Sequence, residues 1–159
     1  MFPQDGLQGR GLRVMRRVLL FSSAIALLGS CSLPALSFDD YRGKAIETAE
    51  ETISQGETAI LTAELAARGR LFSPSVTVQL EEAEESAEAA ASEFASVLPP
   101  DERSERLRRT VLPVLQEAAD LIARMRFAAR ERDTGQLAEL RASLEDSLPR
   151  LEDWVEPAA

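Results

Sequence analysis

The chain of 159 residues holds one cysteine, Cys31, and no histidine. A thiol acts as a nucleophile when a neighbouring base or positive charge ionises it, and histidine is the usual supplier. Its absence removes Ser–His and Cys–His centres, zinc sites of ordinary composition and haem ligation through histidine. The Glu-x-x-His motifs of di-iron carboxylate bundles are missing for the same reason, and no glycine-rich phosphate loop occurs. Carboxylates are the remaining candidates. Glu81, Glu84, Glu85 and Glu88 recur at i, i+3, i+4 and i+7, which puts them on one helix face. That spacing offers a weak cation site or a docking face for a basic partner; the plainer reading is a solvated surface. Mutual repulsion of a few tenths of a kcal/mol per pair disfavours crowding them without a partner. Because they lie opposite the apolar stripe of their helix, they lack the desolvation that would prepare a carboxylate for acid–base work. No catalytic role and no metal is expected.

The lone cysteine has a specific setting. Arg10, Arg13, Arg16 and Arg17 precede an apolar run, Val18–Leu28, and the run closes on Leu28-Gly29-Ser30-Cys31. A basic start, an apolar core of about 7–15 residues and small residues at the cut are the parts of a secretory signal. The run is shorter than the roughly 20 residues that span a bilayer. Translation from Met15 would give the more ordinary signal. The quartet ending at Cys31 resembles the lipobox of bacterial lipoproteins. The resemblance implies cleavage after Leu28-Gly29-Ser30, acylation of Cys31 and anchoring by that lipid on the extracytoplasmic side of a membrane. The competing reading is an uncleaved anchor extended to Leu36, although Ser30, Ser32 and Pro34 interrupt it. The resemblance covers about residues 15–32 and is silent on the domain that follows.

Removing residues 1–30 takes away Asp5 and the four arginines, leaving 26 acidic and 14 basic residues and a net charge of −12. That balance argues against nucleic acid, which calls for a basic footprint, and against electrostatic docking on anionic lipid. About 129 residues make one domain, able to bury roughly two-thirds of its unfolded surface without a disulfide or metal. No cofactor is expected beyond the covalent lipid on Cys31.

Stepping along the chain, residues 31–37 form a tether. Ser37 is placed to cap a helix with Asp39 and Asp40 in its first turn. Ala45, Ala49, Ile53, Gly56, Ile60, Ala63 and Ala67 follow at helical spacing over 38–68, and Gly69 stands where a left-handed terminus belongs. Ser73-Pro74 reads as a cap followed by proline at the first helical position of 74–98. Pro99-Pro100 ends that helix. Asp101 opens a third over 101–132, and Asp133-x-x-Gln136 caps a fourth over 134–155. No segment alternates long enough to be a strand. The expected fold is therefore all-α: a signal peptide and then an antiparallel up-down-up-down four-helix bundle.

Pro113 and Pro149 fall inside helices and are expected to kink them. Gly56 costs about 1 kcal/mol against alanine in a helix, so a neighbour should approach it closely, either Trp154 or a kinked helix. If the fourth helix stops at that level, three helices continue toward the anchored end. A groove could then open between Ile46, Ala49 and Ile53 on one side and Leu107 and Val111 on the other, unless tilting closes it over an ordinary core. The expected role is a non-catalytic, membrane-anchored scaffold or accessory subunit contacting an envelope protein. The alternative is a lipid or small-molecule binding module using that groove.

Overall fold

The computed structural model describes residues 35–155. Those residues are helical throughout apart from turns, with no strand among them. The helices are α1 (Phe38–Ala67), α2 (Ser73–Ser96), α3 (Glu102–Glu131), α4 (Thr134–Ser147) and α5 (Pro149–Val155). No helix among the described residues is long and apolar enough to cross a membrane. Leu28, Gly29, Ser30 and Cys31 lie outside the described residues.

Local chemistry explains where most helices start and stop. The Ser37 hydroxyl accepts the Asp40 N–H at 3.1 Å, Asp101 accepts Ser104 N–H at 2.7 Å, and Asp133 accepts Gln136 N–H at 2.9 Å. Each satisfies one of the orphan donors of a first turn. The Ser104 backbone bond holds the Asp101 carboxyl below its ordinary range. Gly69 takes the left-handed conformation after α1, with φ of 64°. The start of α2 differs from expectation by one residue: Phe72, not Ser73, is in the cap position, and Val76 N–H bonds the Phe72 carbonyl. Pro74 is therefore the second helical residue, which its missing N–H permits equally, since that donor has no helical partner in the first turn.

The two interior prolines fare differently. Helix α3 runs unbroken across Pro113, which faces solvent, so water can reach the carbonyl it orphans. At Pro149 the expected fourth helix is instead two. Helix α4 ends at Ser147, and Pro149 opens α5 on the other side of Leu148. This break answers the question posed by Gly56. A Cβ there would sit 2.7 Å from Leu148 Cδ2, so glycine makes room for Leu148 and not for Trp154.

Two clusters fill the interior. One joins Ala59 and Ala63 of α1, Val76, Leu80 and Ala83 of α2, Ile122 and Met125 of α3, and Leu140 and Leu144 of α4. The other joins Tyr41, Ala45 and Ala49 of α1, Phe94 of α2, Val111 and Leu115 of α3, and Leu151 of α5. Each large buried side chain contributes about 1.5–3 kcal/mol, while the many alanines let the helix backbones approach. Ala35 belongs to the second cluster, so the expected tether 31–37 is partly docked in the fold.

Candidate functional site

Each expected surface site has a definite place. Ala49 and Val111 are fully buried and Leu107 nearly so, all in the cluster that contains Leu151. Ile53 is half-buried against the same cluster, and Ile46 is half-buried on α1. Ala49, Leu107 and Val111 therefore lie in a filled interior, whereas Ile46 and Ile53 stay partly open to solvent, Ile53 in a surface pocket with Glu57 and Val155. The physical reason is the break at Leu148–Pro149, after which α5 carries Leu151, Trp154 and Val155 to the place where three bare helices were expected.

The acidic face is only partly a surface. Glu81, Glu85 and Glu88 are exposed, but Glu84 is turned toward α3. Its carboxylate receives both Nε and Nη2 of Arg126, and each side chain is about 85% shielded from solvent. The hydrogen bonds to Glu84 raise the Arg126 guanidinium above its ordinary range, fixing its charge. The α-helical spacing of the glutamates was legible. That one of them faces a partner became visible only once α3 was placed beside α2. Other arginines are engaged similarly but in the open: Arg106 with Glu102 at 3.7 Å and Arg150 with Glu117 at 2.6 Å. Arg103 lies over the Phe38 ring at 3.7 Å, and Arg108 donates to the Ala95 carbonyl at 2.7 Å, closing the end of α2.

Among the described residues no cluster of acidic, cysteine or histidine side chains has the geometry to hold a metal ion. Two buried hydroxyls, Tyr41 Oη and Ser104 Oγ, have no hydrogen-bond partner, whereas buried Thr62 donates to Gln79 at 3.0 Å and Thr52 to the Thr48 carbonyl at 2.9 Å.

Sequence reasoning missed a cavity of about 390 Å³ where α1 and α3 end and α2 and α4 begin. Its floor is apolar, with Ala63, Val76, Ala128 and Leu137; its rim carries Arg68, Arg132 and Arg141. The available signal was the concentration of alanine beside arginine at the two helix ends, which composition alone does not place together.

No protein-family model, no curated protein and no solved structure matches the chain.

Proposed function

We propose that this protein is a lipid-anchored, non-catalytic helical bundle that works through protein contacts at the cell envelope, as a scaffold or accessory subunit. The observation that carries the reading is the order of parts in the first 31 residues: basic residues, the apolar run Val18–Leu28, then Leu28-Gly29-Ser30-Cys31. Acylated at Cys31, the chain would follow the bilayer with only a few residues before the docked Ala35. The long helices are read as an antiparallel up-down-up-down bundle with α5 as a returning segment, since the connections between them are short. A non-catalytic role accords with ionisable side chains that serve as helix caps and ion-pair partners.

Native mass spectrometry of the protein extracted gently from its own membranes tests this. The expected mass is residues 31–159 plus acyl groups, and Cys31→Ser should release the protein from the membrane fraction. A mass retaining residues 15–30 would replace the lipid with an uncleaved anchor and overturn the reading.

A further inference from the structure

The cavity at the turn end of the bundle has features that an unfilled packing defect does not require. Its floor is made by buried residues that the clusters already hold in place, so the space is pre-formed. Its volume lies within the range of small-molecule sites, about 300–1,000 Å³.

The rim carries three arginines, Arg68, Arg132 and Arg141, against two carboxylates, Glu64 and Asp133, in a domain that is otherwise strongly acidic. Arg68 and Arg141 share Glu64, at 3.0 and 3.4 Å, and Arg141 also engages Glu145. The Asp133 carboxylate is committed to the first turn of α4. Arg132 has no carboxylate within ion-pair distance among the described residues, and it is exposed at the cavity. Helix α2 begins beside the same space without a side-chain cap, leaving the Ser73 and Ser75 N–H groups without a helical partner.

Arg132 also stands in an unfavourable backbone conformation. It ends α3 in the left-handed region, φ 60° and ψ 27°. At the end of α1 the left-handed position is held by Gly69. A side chain there costs energy that glycine avoids, so arginine at this position is expensive for the fold and places a guanidinium on the cavity rim.

We propose that this cavity binds a small amphipathic anion, a medium-length acyl or alkyl chain ending in a carboxylate or phosphate. The chain lies over Ala63, Val76, Ala128 and Leu137. Arg132 grips the head group through the planar fork that suits both anions, while Arg68 and Arg141, held by Glu64 and Glu145, shape the rim around it. The site lies at the C-terminal end of α1 and does not rest on the anchor reading.

Hydrogen exchange followed by mass spectrometry on the full chain tests it, with octanoate, octyl phosphate and uncharged octanol as probes below their micelle concentrations. Protection within 63–76 and 128–141 by either anion, with little from octanol, is expected; which anion protects identifies the head group. Arg132→Gly should weaken the anion by about tenfold or more while raising Tm by a few degrees, because it relieves the left-handed arginine. Ala138→Phe, at an exposed lining position, should block both anions; if it does not fold, Arg132→Gly alone decides. Equal protection by octanol and the anions, protection unchanged in Arg132→Gly, or none at millimolar probe would each overturn the proposal.

Discussion

Glu84 and Arg126 show what a single pair contributes. Both are largely withdrawn from water, so neither charge can be deleted without stranding the other. Glu84→Gln should cost about 2 kcal/mol in urea denaturation, whereas Glu84→Leu combined with Arg126→Met should recover most of it. Equal losses in Glu84→Gln and Glu81→Gln would show that Glu84 is an ordinary surface residue. Tyr41 is the opposite case, a buried polar atom with nothing to bond. Burial pushes its phenol above the ordinary tyrosine value, with the Arg108 charge opposing and Glu105 adding. The folded state therefore holds this proton more tightly than the unfolded chain. Its contribution is intact below the ordinary tyrosine range and is lost as pH climbs through the raised folded value. Tyr41→Phe should flatten the alkaline limb of a stability–pH curve and, by removing the unpaired hydroxyl, raise neutral-pH stability by up to about 1 kcal/mol. A loss of stability on that substitution would mean the hydroxyl is bonded after all.

At the scale of elements, the break between α4 and α5 decides the shape of the lower half of the bundle. Pro149 supplies no N–H, so the helix stops at Ser147 and restarts, and Leu148 is presented to the glycine gap in α1. The contact predicts a sign change. Gly56→Ala gains helix propensity of about 1 kcal/mol but drives a methyl into a buried leucine, and overpacking costs about 1–3 kcal/mol. It should therefore be neutral to destabilising in the native chain and stabilising in Leu148→Ala, with a coupling of about 1 kcal/mol in the double-mutant cycle. Additive effects would place Leu148 away from Gly56. This element also shows the limit of periodic reading. Leu137, Leu140, Leu144, Leu148 and Leu151 continue one leucine spacing, so the apolar stripe passes smoothly over a point where the backbone does not.

For the whole molecule, two interior clusters share the three long helices and differ in the fourth wall: α4 for one, α5 for the other. Leu151 of α5 packs into the cluster that holds Ala49, Leu107 and Val111 of the expected groove. The cavity instead opens at the far end, where four helix termini meet and alanines leave volume that larger residues would take. Because α1, α2 and α3 run through both clusters, their burial ties the turn end of the bundle to the end that begins at Phe38.

The amino-acid sequence alone determined what is local. Apolar spacing made the described residues all-α, while Ser37, Asp101, Asp133 and Gly69 marked helix ends within a residue or so, because caps and left-handed termini act over one turn. The glycine at position 56 announced a close neighbour without naming it. Only the tertiary structure decided which face of each helix met which other. It turned Glu84 inward to Arg126, buried Ala49, Leu107 and Val111 in one cluster with Leu151 of α5, and brought Arg68, Arg132 and Arg141 around one cavity. These outcomes depend on contacts between residues tens of positions apart, and no spacing rule along a single helix encodes them.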